Sequence, residues 1–402
     1  MQNVIKNIRD LPSAMSISAI VAGLLVVIVG YASSLVIVFD AANKASLSSE
    51  QLSSWIVAIT VGSGLCSLVM SLWFRQPVIA AWSTPGVALL VTSLPQYAYG
   101  EAIGAYIVAA LAIILLGFSG LFGRFMSLIP QPIIMGMLAG VLVRFGIGLF
   151  NDLPQSPVMI VVMLIVFFAL RRGGFRAPTV GALIAGIIIA ALNQQVQLDG
   201  ITPTLASPLW TMPTFTPQAI LGLSLPLFAL AITSQDAPGQ AVLQAAGYDA
   251  SINGALVVTG IGSLVGAPFG GHGLTLAAIT AAIVTGPEAH ADPNKRYSAG
   301  VATGMWYTVT GVFGATMAKL FSGLPLALIH AVSGLALTGA IMSSLSAAMS
   351  EPFRREGALV AFMCTAANFQ LLGIGAPFWG LVFGVLTNLI MTYGKADFRK
   401  AK

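Results

Sequence analysis

Charged residues are scarce in this chain of 402 residues: Asp, Glu, Lys and Arg together make up only 8% of the sequence. A soluble domain carries about 25% charged residues. Hydrophobic residues account for 57% of the chain, and its mean hydropathy is +0.92. The shortage of charge therefore excludes an ordinary soluble domain and predicts an all-α polytopic membrane protein, whose surroundings are membrane lipid.

Cysteine and the common catalytic motifs are equally sparse. The two cysteines, Cys66 and Cys364, lie in apolar segments, so neither a disulfide framework nor a metal site is indicated. The sequence contains no Walker loop, no GxGxxG motif after a strand and no HExxH motif. We therefore predict no catalytic residues, no metal and no cofactor, and the missing nucleotide site argues against primary active transport by this chain alone. The net charge of +5 is scattered between apolar segments and predicts no nucleic-acid partner.

Long apolar segments are what the sequence has instead. About 20 helical residues cross a hydrocarbon core. The third and tenth of the segments that we identify are short and begin at Pro/Gly-rich stretches around Pro77 and Pro268. The fourteen predicted transmembrane segments are residues 14–38, 53–73, 77–93, 102–122, 131–149, 156–170, 177–193, 218–246, 252–267, 273–286, 297–321, 325–346, 357–372 and 376–393.

The basic residues test this count. With a cytoplasmic N-terminus, fifteen of the 18 Lys and Arg residues fall at cytoplasmic positions, and only Lys44, Arg144 and Lys319 fall on or near the outside. Such a bias is typical of membrane proteins, and one misplaced span would reverse every later loop. We therefore predict a multi-pass protein of a bacterial inner membrane with both termini in the cytoplasm.

The two halves of the chain resemble each other. Residues 177–181 (APTVG) open the seventh span and residues 376–380 (APFWG) the fourteenth, while Pro77 and Pro268 precede the third and tenth spans. Because seven spans per half is an odd number, the second half must be inverted relative to the first. Inverted repeats with paired broken helices are typical of secondary transporters. The predicted repeats are residues 1–200 and 201–402.

Asp236 is the only carboxylate inside the predicted spans, and it lies in the Pro/Gly-broken stretch 231–240 of the eighth span. An ionisable side chain in a bilayer normally faces a cavity, pairs with another group or carries a proton. Burial disfavours the charged form of a carboxyl, so we predict that Asp236 carries a coupling proton. The alternative is a structural Asp that caps the helix segment restarting at Pro238.

The two short spans predict a substrate site near the midplane. A helix that starts within the membrane presents unbonded N–H groups and the positive end of its dipole, which attract an anion without Arg or Lys. The alternative is that the breaks are turns at the ends of tilted helices. The aromatic side chains could equally face lipid or neighbouring helices, and His272 could simply bond the backbone. The candidate substrate-binding residues are Tyr31, Trp82, Ser83, Thr84, Gln235, Gly271, His272, Gly273 and Thr275.

From Leu11 to the last span, the chain resembles the benzoate:proton symporter family. The resemblance is carried by residues 76–86 (QPVIAAWSTPG), 232–239 (ITSQDAPG) and 266–273 (GAPFGGHG). That family is similar in architecture to the uracil and nucleobase–ascorbate transporters and to the sulfate-type anion transporters. The resemblance implies a seven-plus-seven inverted repeat, with short β-strands before the third and tenth helices.

The resemblance also implies two domains and a role for Asp236. The core domain would contain spans 1–4 and 8–11, residues 14–122 and 218–321, and the gate domain spans 5–7 and 12–14, residues 131–193 and 325–393. In nucleobase transporters an acidic residue of the eighth span contacts the substrate, and Asp236 matches that position. Their second acidic residue follows a Gly in the tenth span, where this chain has Leu274 after Gly273. That departure weakens a nucleobase interpretation.

We therefore predict a proton-coupled importer of an aromatic carboxylate, with benzoate as the first candidate, that works by alternating access. The movement of one proton with one monovalent anion is electroneutral, so the membrane potential does not oppose it. The alternatives are a nucleobase or inorganic-anion transporter of the same fold, and an anion channel; a membrane-bound enzyme is more distant. A homodimer is one assembly compatible with the sequence.

The predicted topology can be tested by cysteine labelling in a variant that lacks both native cysteines. Lys44→Cys should react with a membrane-impermeant maleimide added outside intact cells. Arg171→Cys and Arg296→Cys should react only after the membrane is opened, because their loops are cytoplasmic under the positive-inside rule. Labelling of Arg171→Cys from outside would overturn the span count.

Overall fold

The computed structural model describes residues 2–122, 124, 130–175, 178–196, 204–277, 280–287, 289–316, 319, 323–371 and 374–392. The predicted junction of the two repeats, at residues 200 and 201, lies outside these residues. The predicted span boundaries at 177, 321, 372 and 393 also lie outside them.

Helices dominate the first half of the chain, and their ends follow from local sequence. The longest begins at a capping box, in which the Ser48 hydroxyl accepts a hydrogen bond from the Gln51 amide N–H and the Gln51 side chain accepts one from the Ser48 amide N–H. It ends at Arg75, which is left-handed with φ 53°. The elements are α1 (Gln2–Ala14), α2 (Ile17–Gly30), a π-helical turn (Tyr31–Leu35), α3 (Val36–Lys44), α4 (Ser49–Phe74), β1 (Ala80–Trp82), α5 (Thr84–Ser93), α6 (Tyr99–Ser119), α7 (Gln131–Asn151), α8 (Pro157–Arg172) and α9 (Pro178–Leu192).

The second half again consists mostly of helices, with one strand, β2 (Leu274–Leu276), at the centre of the protein. Its eighth predicted span is a single helical passage that contains two π-helical turns. The elements are α10 (Pro217–Ala219), π-helical turns Ile220–Ser224 and Ile232–Asp236 on either side of α11 (Leu225–Ala231), α12 (Ala237–Ala245), α13 (Ile252–Gly266), β2 (Leu274–Leu276), α14 (Ala281–Thr285), α15 (Tyr297–Val312), α16 (Leu326–Ala348), α17 (Arg355–Ala367), β3 (Gln370–Leu371), β4 (Ile374–Gly375) and α18 (Ala376–Thr392).

Several of these helices can cross a membrane. Among the described residues, five are long and apolar enough by themselves, and up to seven spans result if each of two bent helix pairs counts as one. One such pair is α1 and α2, which meet at 105°. A helix or a strand–helix unit falls within every predicted segment, but the count of fourteen crossings stays a prediction.

Two short strands pair at the centre of the protein. β1 and β2 are antiparallel, with Ala81 opposite Thr275 in the register. A serine from the preceding helix holds each strand: the Ala80 amide donates to Ser67 Oγ at 2.9 Å, and the Leu274 amide to Ser263 Oγ at 2.8 Å. The expectation that short strands precede the third and tenth helices is confirmed.

The helices form two packed groups. In the first helix group, α15 packs against α2 and α4, α13 packs against α6, and both strands are held by α4 and α13. In the second helix group, α7 packs against α16 and α17, α8 packs against α9, and α17 packs against α18. The π-helical turns Tyr31–Leu35 and Ile232–Asp236 contact helices of the second group. They lie half the chain apart, and π-helical turns within α-helices are frequent at functional sites.

Asp236 is not the only buried carboxylate of the membrane helices, so that prediction is wrong. The predicted first span ends at residue 38, whereas the helical passage continues through α3 to Lys44 and buries Asp40 at 3% exposure. The Lys44 ammonium lies 3.2 Å from the Asp40 carboxylate. The predicted span ends at Val38 because the criterion of an apolar run does not include the partner charges that allow the helix to continue past Asp40.

The paired serines predict a measurable loss of stability. Ser67→Ala or Ser263→Ala leaves a buried strand N–H without its partner, which costs about 1–3 kcal/mol. Each variant should therefore melt at a lower temperature in detergent, measured by size-exclusion chromatography after heating. Ser350→Ala is the control because the Ser350 hydroxyl is exposed and bonds only the Ala347 carbonyl. Unchanged melting of both strand variants would contradict this role.

Candidate functional site

A small cavity lies beside the paired strands, inside the first helix group. Its volume is 40 Å³, whereas an engineered cavity that holds benzene is about 150 Å³. The site is therefore closed in this conformation, and an aromatic ligand requires it to open. The lining residues are Val29, Gly30, Ser34, Ala81, Trp82, Thr84, Gln235, Ala277, Thr280 and Tyr307.

Three of the predicted substrate-binding residues line this central cavity: Trp82, Thr84 and Gln235. Trp82 ends β1, Thr84 begins α5, and Gln235 lies in the π-helical turn Ile232–Asp236. The broken third span and the broken eighth passage thus meet at one place. The Thr84 hydroxyl is 2.7 Å from the Ser34 hydroxyl, so one of the two donates to the other across the cavity wall.

Tyr31 and Ser83 lie next to the cavity without lining it. The Tyr31 ring packs edge-on against Trp82 with 5.9 Å between ring centroids, and its hydroxyl donates to Thr60 Oγ1 at 3.3 Å. Ser83 Oγ accepts from the Gly86 amide at 3.0 Å and so caps α5. The Tyr31 ring therefore supports Trp82, and Ser83 fixes the start of α5.

His272 joins the two halves of the chain. Its Nδ1 accepts from Trp55 Nε1–H at 2.9 Å, and its Nε2 lies 3.1 Å from the Ser83 carbonyl. This pattern assigns a neutral ring with the hydrogen on Nε2, because only a donor can face a carbonyl oxygen. A protonated ring would lose the bond from Trp55. The geometry therefore favours a structural role for His272, in which it links Trp55 to Ser83, over a role as a proton carrier.

The other predicted residues of the tenth span shape β2 and the turn before it. Gly273 has φ 134°, a conformation that side chains rarely adopt, and its carbonyl accepts from the Ser83 amide at 3.1 Å. The Gly271 amide donates to the Gly266 carbonyl at 3.0 Å. Thr275 is fully buried, with its hydroxyl 3.4 Å from the Ala81 carbonyl. These residues build the wall behind the cavity.

Asp236 lies directly behind β2. It is fully buried, its Oδ1 accepts from the Leu276 amide at 2.8 Å, and its Oδ2 has no hydrogen-bond partner among the described residues. Leu276 precedes Ala277, which lines the cavity, and Asp236 follows Gln235, which also lines it. The Asp236 carboxyl is therefore one residue away from the cavity lining along both chain segments. A change in its charge alters the electrostatic environment of the cavity.

The electrostatics of the cavity are unusual in that its lining contains no charged side chain. It does contain two hydrogen-bond donors without partners among the described residues, Trp82 Nε1–H and the Tyr307 hydroxyl, both buried. The two rings pack edge to face, 5.6 Å apart. Unpaired buried donors are rare and costly in proteins, so a ligand with acceptor oxygens would satisfy them.

Sequence reasoning did not select Tyr307, Ser34 or Thr280 as site residues. Tyr307 lies in α15, and its hydroxyl approaches Gly30 so closely that a β-carbon there would lie 2.7 Å from it. The sequence signal for Ser34 was its position one turn after Tyr31. For Thr280 the signal was its place at the start of the helix after β2, as Thr84 stands after β1. Tyr307 has no local sequence signal, because like Tyr31 and Tyr106 it is a tyrosine within an apolar segment, and the sequence does not show which of the three reaches the cavity.

Comparison with known proteins identifies the family of this chain. A family model described as benzoate membrane transport protein matches residues 13–390. The inner membrane protein YdcO of Escherichia coli (strain K12) is 40% identical over 375 residues, covering 92% of this chain and 96% of that protein. The benzoate membrane transport protein of Acinetobacter baylyi (strain ATCC 33305 / BD413 / ADP1) is 38% identical over 390 residues, covering 97% of this chain and 99% of that protein.

Solved structures show the fold. The transmembrane domain of a cyanobacterium bicarbonate transporter, BicA, has a TM-score of 0.56 at 17% identity and covers 94% of this chain and 97% of its own. SLC26A9 has a TM-score of 0.61 at 13% identity and covers 94% of this chain and 65% of its own. The chain is accordingly a multi-pass membrane protein with a transporter fold. The prediction that it is not an enzyme is confirmed, because its family and its structural neighbours are transporters.

Proposed function

This chain belongs to the benzoate membrane transport protein family, and we propose that it takes up an aromatic carboxylate, with benzoate as the first candidate, together with a proton. The observation that carries the proposal is a pair of buried donors without partners among the described residues, Trp82 Nε1–H and the Tyr307 hydroxyl, whose side chains line a cavity with no charged side chain in its described lining. A carboxylate offers acceptor oxygens to both donors. The same two side chains offer aromatic faces and edges, against which a ring packs favourably.

The absence of charge in the lining suits an electroneutral cycle. A carboxylate entering alone would bring a negative charge into a buried site, which is unfavourable unless the charge is compensated. A proton that enters with it removes that penalty and also the work against the membrane potential. The uncharged lining therefore supports proton coupling as well as the binding of a neutralised anion.

Asp236 is the carboxyl that we assign to this proton. Its Oδ1 is anchored by the Leu276 amide, so the side chain stays in place, while its buried Oδ2 has no partner among the described residues and can hold a hydrogen. Protonation would remove a negative charge one residue away from the cavity lining. An anion then approaches the site more readily, which links proton binding to substrate binding.

We propose that transport occurs by alternating access, and the closed central cavity supports this proposal. In this proposal the first helix group acts as the core domain and the second as the gate domain, and Gly30, Trp82 and Tyr307 of the cavity lining lie in the first group. The paired strands, the paired serines and the π-helical turns half the chain apart support an inverted seven-plus-seven repeat. Rocking of one group against the other would open the cavity to each side in turn.

A small inorganic anion is the second candidate. Its support is the closed volume of 40 Å³, which a small ion fills better than a ring, together with the fold shared with a bicarbonate transporter. Aromatic acids and inorganic anions compete differently for the same site. A transport assay can therefore separate them.

The test of the substrate is uptake of labelled benzoate into proteoliposomes with an inward proton gradient. Unlabelled aromatic acids should compete, whereas uracil and bicarbonate should not. Tyr307→Phe should raise the KM about fivefold, because it removes one hydrogen bond of about 1 kcal/mol. Tyr106→Phe is the matched control, since the Tyr106 hydroxyl is also buried and unpartnered but lies away from the cavity. Competition by bicarbonate and none by aromatic acids would favour the second candidate.

The test of coupling is Asp236→Asn, which keeps an acceptor oxygen for the Leu276 amide but cannot ionise. This variant should exchange substrate in counterflow yet fail to accumulate it against a gradient. Asp249→Asn serves as the control, because Asp249 is exposed and bonds only the Gln76 side chain. Near-normal accumulation by Asp236→Asn, with its usual pH dependence, would eliminate Asp236 as the coupling residue.

A further inference from the structure

A second cavity lies where α3 and α5 meet the second helix group, at one end of the protein. It has a volume of 240 Å³ and is lined by α3, α5, α7 and α16 together with the turn after α7. This end is opposite to that of Arg75 and Asp10, which form an ion pair 2.8 Å long, because α2 and α3 lead away from Asp10 and α4 leads back to Arg75. Its volume exceeds the roughly 150 Å³ that holds a benzene ring.

Most charges in this outer cavity are paired. Lys44 lies 3.2 Å from Asp40, and His330 lies 3.6 Å from Asp40 and 2.6 Å from Asp152. These groups come from α3, from α16 and from the turn after α7, while α5 contributes Thr92 and no charge. The two carboxylates therefore use Lys44 and His330 as their partners.

Arg144 is the exception. It projects from α7 two turns before the end of that helix, and its buried Nη1 has no hydrogen-bond partner among the described residues. An arginine within a membrane helix is costly and normally marks a functional site or has a partner. Phe145 and Val91 line the same cavity and supply apolar surface beside the guanidinium. A fixed cation next to an apolar wall matches the two ends of an aromatic carboxylate.

One helix, α5, lines both the outer cavity and the central cavity. Thr84, at the start of α5, lines the central cavity, and Thr92, near its end, lines the outer cavity. They are separated by about 12 Å along the helix axis. An anion bound at Arg144 would thus lie close to the central cavity.

We propose that the outer cavity is a second binding site for the transported monocarboxylate, in which Arg144 binds the carboxylate group on one side of the membrane. The proposal rests on the function proposed above. Arginine is suited to this role because its planar guanidinium binds a carboxylate through two parallel hydrogen bonds. Because the cavity lies at one end of the molecule, the proposed site would fill from one side of the membrane.

Binding can be followed without transport by cysteine protection. In a variant without native cysteines, Thr92→Cys should react with a methanethiosulfonate reagent, and benzoate should slow that reaction in a saturable way. Adding Arg144→Gln should raise the half-protecting benzoate concentration at least tenfold. Adding Tyr307→Phe, which weakens the central site, should leave it unchanged, and so should Arg171→Gln, an exposed arginine at the opposite end.

The outcomes separate the two proposals. Equal protection with and without Arg144→Gln, or a shift caused by Tyr307→Phe, would overturn the outer site even if wild-type protein transports benzoate. Arg144-dependent protection in a protein that transports no benzoate would support the outer site and overturn the proposed function. If Arg144→Gln does not fold, Arg144→Lys should raise the half-protecting concentration about threefold, since lysine keeps the charge but not the paired hydrogen bonds. An unchanged value would again overturn the outer site.

Discussion

Backbone hydrogen bonding in the absence of water is the constraint on which this architecture depends. Within a bilayer every N–H and C=O group must find a partner inside the protein, yet the chain breaks two helices at its centre. The break is tolerated because β1 and β2 pair with each other. Their remaining amides are met by side chains: Ser67 and Ser263 accept from the first residue of each strand. Asp236 accepts from the last residue of β2.

Asp236 therefore belongs to the same bonding scheme as the serines, and this raises the question of why it is a carboxyl. A hydroxyl is enough to accept one amide, as Ser67 and Ser263 demonstrate. The corresponding π-helical turn of the first half ends at Leu35, which offers no acceptor, although the turn itself is formed. The geometry of the turn thus does not require an acid. The second oxygen of Asp236 is the feature that a structural role leaves unexplained, and it is the one that the proposed proton binding would use.

Much of this arrangement follows from sequence because its signals are local. Pro77 and Pro268 mark the places where helices cannot continue, and the resemblance to a known family supplies the strands that follow. The residues that were missed depend on distant contacts. Asp40 lies beyond the apolar run and is kept within the helix by Lys44 and by His330 from the far half of the chain. Tyr307 reaches the cavity only because Gly30, on another helix, leaves room for its hydroxyl.

The separation of neutral donors at the centre from a cation at the edge has a physical reason. A transported anion must bind strongly enough to be selected and weakly enough to leave. An arginine in the fully buried central cavity would hold a carboxylate through a charge-assisted pair that water does not screen, and release would be slow. In the proposed function, Trp82 Nε1–H and the Tyr307 hydroxyl would form weaker hydrogen bonds that orient the carboxylate and still allow its release. Arg144, which is only partly buried and lies near the paired charges of Asp40 and Asp152, can attract the anion where solvent reduces the strength of the interaction. In this arrangement a charged group would attract the anion near the surface, and neutral groups would bind it at the centre of the protein during translocation.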